Sequence, residues 1–177
     1  MVSPNLLRRV KESAYLTGAF VTRSGATTDY YIDKYLFGTQ PDILKLIVSA
    51  LKPVLPPLDQ FKCLAAPELG AVSIATALSI AIDKPFVIVR KLAKGYGTDQ
   101  LIEGAYQPGD NMVLIEDVVT TGGAALNAIS VLKSAGVSVS HMIGIIDRES
   151  GGLANIAESG VHAQGLITTT MLRQVND

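Results

Sequence analysis

Glu116 and Asp117 stand side by side after the apolar run Val113-Leu114-Ile115 and before Val118-Val119-Thr120-Thr121-Gly122-Gly123-Ala124. The order reads as a buried strand, two carboxylates, a turn of hydroxyls and glycines, then a helix. Open α/β sheets bind ligands at the carboxyl ends of their strands, and the pair falls at such an end. A strand over 112–115 stops before the pair and leaves both carboxylates exposed. The glycine turn offers backbone N–H groups at a helix N-terminus, which suits an anion. Carboxylates accept hydrogen bonds from sugar hydroxyls. Together these features suit a phosphorylated sugar. A Thr or Asp before a helix can also be an ordinary N-cap, but the carboxylate pair with Thr-Thr-Gly-Gly goes beyond one. No Gly-Lys-Ser/Thr follows, so this is not a Walker loop, and the dinucleotide pattern Gly-x-Gly-x-x-Gly is absent.

Two further stretches carry chemistry. Residues 91–107 join two buried runs, yet hold Gly95, Gly97 and Gly104 with Lys91 and Lys94. The stretch is too polar for a core helix, and long irregular connections are usually functional. Asp147-Arg148 closes another strand, which puts Arg148 in the same layer as the carboxylate pair. His141 alternates with Val139 and Ile143 and reads as structural, as do Tyr30 and Tyr31 as packing residues. His162 and Cys63 carry no functional reading.

The elements that must position these residues follow from periodicity and breakers. Ser3 caps a first helix with Pro4 at its first position, and Thr17-Gly18 stops it after Leu16. Two short strands lie within 20–32 around Ser24-Gly25. Ile43, Leu44, Ile47 and Leu51 give a helix opening at Pro41. Pro53, Pro56 and Pro57 end an N-terminal appendage near residue 57. Beyond it strands over 61–66, 86–89, 112–115 and 137–146 alternate with helices over 71–82, 124–135 and 153–159. Such alternation predicts an α/β fold with a mostly parallel central sheet and flanking helices. The expectation is a single domain over 1–177, with residues 1–57 as a small hood over the carboxyl edge of the sheet.

Composition narrows the class. The 177 residues are 48% hydrophobic and carry net charge −1. That balance argues against nonspecific nucleic-acid binding and against a polybasic membrane patch. A lone cysteine excludes an intrachain disulfide and a cysteine-based zinc cluster. The two histidines are far apart, against a histidine-rich metal site. No apolar run is long enough to span a membrane and no signal peptide is evident, so the expected location is cytoplasmic.

Residues 113–124 resemble the phosphoribosyl-pyrophosphate (PRPP) signature of type I phosphoribosyltransferases. Further segments are similar to orotate phosphoribosyltransferases: Gly18-Ala19-Phe20-Val21-Thr22-Arg23-Ser24-Gly25 with Tyr30-Tyr31-Ile32-Asp33, then Arg90-Lys91-Leu92-Ala93-Lys94-Gly95-Tyr96-Gly97, and Asp147-Arg148. The resemblance implies a type I phosphoribosyltransferase fold and transfer of ribose 5-phosphate from PRPP to orotate. Glu116 and Asp117 would hold the ribose hydroxyls, and Val118, Val119, Thr120, Thr121, Gly122, Gly123 and Ala124 the 5′-phosphate side. Arg90, Lys91 and Lys94 would meet pyrophosphate, with Lys94, Glu116 and Asp117 as the catalytic set. Arg23, Thr120 and Arg148 would face orotate. Mg2+ would come through PRPP and water, without a direct protein ligand. A homodimer sharing the mobile loop across its interface is implied as well.

The sequence departs from the common pattern at Leu69, where many relatives have lysine, at Leu92 for glutamate and at Tyr96 for histidine; Arg23 replaces a common lysine. Residues 66–70 would be the pyrophosphate loop, a place where relatives often have a non-proline cis bond. Two other readings stay open: a purine or uracil phosphoribosyltransferase, and a non-enzymatic PRPP-sensing regulator.

Overall fold

The structure is a computed structural model that describes residues 2–21, 25, 27–91 and 100–175. The expectations for Arg23, Ser24, Leu92, Lys94 and Tyr96 therefore lie outside the described residues.

Helix α1 (Pro4–Ala14) opens as its sequence predicts, with the Leu6 N–H donating to Ser3 Oγ at 3.2 Å. It stops at Ala14 rather than Leu16. Tyr15 and Leu16 instead start strand β1 (Tyr15–Val21), which pairs antiparallel with β2 (Thr27–Ile32). The Tyr15 ring stacks on Tyr30 at 5.1 Å, a cross-strand contact that outweighs continuing the helix. Asp33 then accepts from the Tyr35 N–H and caps the short α2 (Lys34–Gly38). Helix α3 (Pro41–Leu51) has the expected bounds, and 3-10 turns follow among the prolines.

The remaining chain is β3 (Cys63–Pro67), α4 (Gly70–Ile82), β4 (Phe86–Val89), β5 (Ile102–Glu103), β6 (Asn111–Val119), α5 (Gly123–Ser134), β7 (Ser138–Asp147), α6 (Gly152–Glu158), β8 (His162–Thr168) and α7 (Thr169–Gln174). Six strands form one sheet in the order β5-β4-β3-β6-β7-β8, parallel except for β5. This is the mostly parallel α/β sheet with flanking helices that the alternation predicts. The polar connection after β4 differs from expectation by including β5. The carboxyl-terminal β8 and α7 were not expected. β8 is an edge strand interrupted by Gln164 and Gly165, so its apolar signal is weak.

Alternation along β6 builds two cores. Val113 and Ile115 face α1, α3 and α4, where Leu6, Val10, Phe37, Ile43, Ile47, Ile74 and Leu78 are buried. Met112 and Leu114 face α5 and α6, among Ala125, Ile129, Leu132 and Ile156. The N-terminal elements thus share the core of one sheet face. Phe37 of α2 is fully buried there. Phe37→Ala should cost about 3–5 kcal/mol of stability, the usual range for an emptied aromatic site. Urea unfolding with an unchanged m-value would register it.

Candidate active site

The sheet order creates a crevice. From β3 the chain moves outward to β4 and returns as β6 on the other side of β3. Loops after β3 and β6 therefore part in opposite directions, and ligands bind at such a switch point. A cavity of about 940 Å³ opens over it. Its walls come from Pro67 after β3, Val89, Arg90 and Lys91 at the end of β4, and Thr120, Thr121, Gly123 and Ala124 after β6. Arg148 and Ser150 follow β7, and Phe20, Val21, Thr28 and Tyr31 come from the hairpin.

The carboxylates stand differently from the sequence expectation. β6 continues through Val119, so the pair lies inside the strand. Glu116 is only 5% exposed and Asp117 2%. Successive residues of a strand point to opposite faces, so the two side chains leave in different directions, yet their carboxyl groups stay close enough to hydrogen-bond. Asp117 turns toward α4, where Lys34 Nζ meets its Oδ2 at 2.9 Å and the Val118 N–H donates to its Oδ1 at 2.7 Å. Glu116 turns toward the start of α5 and lines a small cavity of about 20 Å³ with Thr120, Gly122 and Gly123. Its Oε2 is buried and meets no hydrogen-bond partner among the described residues. Burial first, and the neighbouring Asp117 charge second, push the Glu116 carboxyl up to about 9. Burial would lower Lys34, but its hydrogen bond and charge contact with Asp117 raise it instead.

The turn after β6 is shaped for an anion. Gly122 has φ +83°, and a Cβ there would come within 2.9 Å of the Gly152 carbonyl oxygen. Only glycine combines that backbone conformation with that approach. Asn155 Nδ2 donates to the Thr121 carbonyl at 3.0 Å and ties the turn to α6. Thr120, Thr121, Gly123 and Ala124 remain exposed at the helix mouth. The Val119 side chain is buried in the core and Val118 packs against the opposite one, so these two offer a ligand only backbone.

Arg148 reaches the cavity from the end of β7. Its Nε donates to the Tyr30 hydroxyl at 3.2 Å, and its guanidinium lies 4.6 Å from the Tyr30 ring centroid. Tyr30 packs as expected, but it also holds the arginine. Arg90 and Lys91 line the cavity opposite. The Lys91 N–H donates to Glu68 Oε1 at 2.8 Å, which fastens the start of the polar connection to the loop after β3. That loop contains a cis Glu68-Leu69 bond, and Leu69 is exposed. His141 stacks edge-on with His162 at the far end of the sheet. Lys34 and Asn155 escaped the sequence reading, and Glu68 entered it only as part of the loop over 66–70. No local spacing marks them, because each partner is distant along the chain.

Glu116 gives a stability prediction. Between pH 4.5 and about 9 the folded state keeps a proton that the unfolded state releases. Stability therefore falls as pH rises through that window. Glu116→Gln keeps the shape without the ionisation. Its melting temperature should fall less than the parent's from pH 5 to pH 9, a comparison that thermal scans at graded pH provide.

No family model matches the chain. Relatives do. The orotate phosphoribosyltransferase of Methanocella arvoryzae is 40% identical over 155 residues, covering 88% of this chain and 87% of its own. That of Pyrococcus abyssi is 43% identical over 156 residues, covering 88% and 86%. Among solved structures, the Mycobacterium tuberculosis orotate phosphoribosyltransferase in complex with Fe(III) dicitrate superposes with a TM-score of 0.84 at 27% identity, covering 96% of this chain and 97% of that one. Identity of this level across most of the chain, with the same overall fold, makes this chain a member of the orotate phosphoribosyltransferase family.

Proposed function

We propose that the chain transfers the 5-phosphoribosyl group of PRPP to orotate in the cavity over the β3–β6 switch point, giving orotidine 5′-monophosphate and pyrophosphate for pyrimidine synthesis. The observation that carries this reading is that Thr120, Thr121, Gly123, Ala124 and Arg148 line one cavity, with the buried Glu116-Asp117 pair in the strand that leads into that turn. Glu116 and Asp117 take the ribose hydroxyls. The turn from Thr120 to Ala124 takes the 5′-phosphate, with the Val118 and Val119 backbone leading into it. Arg90, Lys91 and Lys94 take the pyrophosphate. Arg23, Thr120 and Arg148 take orotate. The whole chain acts as one domain, with residues 1–57 as its hood.

In this reading the anomeric carbon loses its bond to the pyrophosphate oxygen and gains one to the deprotonated orotate nitrogen. The transition state has oxocarbenium character and needs no covalent enzyme intermediate. Fixed carboxylates hold the ribose while cations of the cavity wall stabilise charge developing on pyrophosphate. Phe20, Val21 and Tyr31 supply apolar wall that keeps water from the activated sugar. Magnesium fits as a companion of PRPP. The described residues hold no cluster of three His, Cys, Asp or Glu side chains, and magnesium commonly binds through phosphate oxygens and water. When bound it neutralises charge on the pyrophosphate.

The reading extends to a cytoplasmic homodimer. Leu36 and Ile80 expose apolar surface on α2 and α4 that a second copy would cover. Among the described residues no helix is long and apolar enough to cross a membrane. If residues 91–107 act across the dimer, mixing Asp117→Asn subunits with Lys94→Ala subunits should restore some activity beyond the residual level of either variant alone. Failure of the mixture, with dimers verified by mass, would mean each site is built from one chain.

Specificity follows from charge. Orotate differs from uracil by a carboxylate, and a guanidinium binds such a group by paired, charge-assisted hydrogen bonds. Turnover should be seen with orotate and not with uracil. Arg148→Ala should lose about 30- to 150-fold in kcat/KM for orotate, the equivalent of about 2–3 kcal/mol. PRPP binding, followed by calorimetry, should change little, and Arg148→Lys should rescue only in part. Losses confined to PRPP affinity would move Arg148 to the phosphate side.

A further inference from the structure

Lys34 is the side chain that the reading above leaves without a task. It opens α2, whose start is fixed by Asp33 accepting from the Tyr35 N–H. That helix packs on α4 and β6, so Lys34 is carried by the N-terminal elements to the end of the central strand. There its Nζ stands 2.9 Å from Asp117 Oδ2, with the lysine side chain 32% exposed and the aspartate 3%. The first residue of α4, Gly70, completes the arrangement. A Cβ at Gly70 would collide with the Asp117 carboxylate and come within 3.2 Å of Lys34 Cδ. The ion pair thus lies in a slot made by a missing side chain, directly under the loop after β3.

We infer that Lys34 is a positioning residue for PRPP: it holds the Asp117 carboxylate at the end of β6 in the orientation that the ribose hydroxyls require, and so couples the N-terminal elements to the sugar site. The inference rests on the assignment of Asp117 to the ribose. Oδ2 meets Lys34, Oδ1 receives the adjacent Val118 N–H, and the Glu116 carboxyl also contacts this carboxylate. A carboxyl oxygen accepts more than one hydrogen bond, so each retains capacity for a hydroxyl. A buried carboxylate deprived of its cation must either take up a proton or turn toward water, and either change removes the fixed acceptor. Orotate lies against the Arg148 wall, away from this slot. The effect should therefore appear in PRPP and not in orotate.

Steady-state kinetics with each substrate varied, on Lys34→Met, Lys34→Arg, Asp117→Asn and the double variant Lys34→Met/Asp117→Asn, test this. Lys34→Met should raise the PRPP KM at least about tenfold, less than the roughly 30-fold low end for a fully buried charge pair because Lys34 is 32% exposed. The orotate KM should stay within about twofold, and Lys34→Arg should recover most of the loss because it restores a cation. The double variant should be no worse than Asp117→Asn alone, since Lys34 acts through Asp117. That comparison uses a neutral pair, so it survives even if Lys34→Met alone does not fold. A PRPP KM that Lys34→Met leaves unchanged while only melting temperature falls would overturn the inference, as would losses that add in the double variant. A normal PRPP KM in Asp117→Asn would instead overturn the ribose assignment itself.

Discussion

Two neighbouring carboxylates buried inside one strand are the constraint around which this molecule is arranged. Like charges this close cannot both be left ionised and dry, because desolvation and mutual repulsion both oppose it. The strand geometry separates the problem into two halves. Asp117 is turned toward α4 and given a cation, Lys34. Glu116 is turned toward the start of α5 with no cation of its own, its Oε2 unpartnered among the described residues and its remaining contacts to Asp117, and it is driven toward its neutral form. A protonated carboxyl can donate a hydrogen bond as well as accept one, so Glu116 differs chemically from its neighbour although the two are adjacent in the chain.

The surrounding structure follows from that burial. Gly70 has no side chain because the Asp117 carboxylate occupies the space, which lets α4 begin immediately beside the strand end. Gly122 and Gly152 let the turn after β6 pass close to α6. The switch point between β3 and β6 brings these glycine-dependent contacts to one edge of the sheet. The N-terminal elements contribute from above. Their core is the same cluster that lines one face of the sheet, so the hairpin wall of the cavity is fixed by packing rather than by a separate linker.

Local signals in the sequence were sufficient where one segment determines its own structure. Pro41 with the spacing of Ile43, Leu44, Ile47 and Leu51 sets α3, and four consecutive apolar residues set β4. The Thr-Thr-Gly-Gly turn was legible for the same reason: its glycines and hydroxyls carry the geometry themselves. Legibility ended where distant partners decide. β6 reads as ending at Ile115 because charged residues are rarely buried unpaired, and Lys34, which offsets Asp117, belongs to another part of the chain. Tyr15 leaves α1 because of Tyr30, and Tyr30 holds Arg148; neither relation has a spacing. Edge strand β8, broken by Gln164 and Gly165, had too little periodicity to see.

Leu69 shows how the charge of the cavity is distributed. The position where the family resemblance leads one to expect a lysine is here an exposed leucine. The cations that do line the cavity, Arg90, Lys91 and Arg148, come from the ends of β4 and β7. Glu68, next to Leu69, adds a carboxylate on the same side, but its Oε1 is engaged by the Lys91 N–H. That contact spends an acceptor that would otherwise repel an anion and anchors the backbone from which the polar connection departs. Among the described residues, the positive charge of the cavity thus comes from the base of that connection and from Arg148 more than from the loop after β3. Positive charge sits where the chain leaves a buried strand, and the loop after β3 contributes shape.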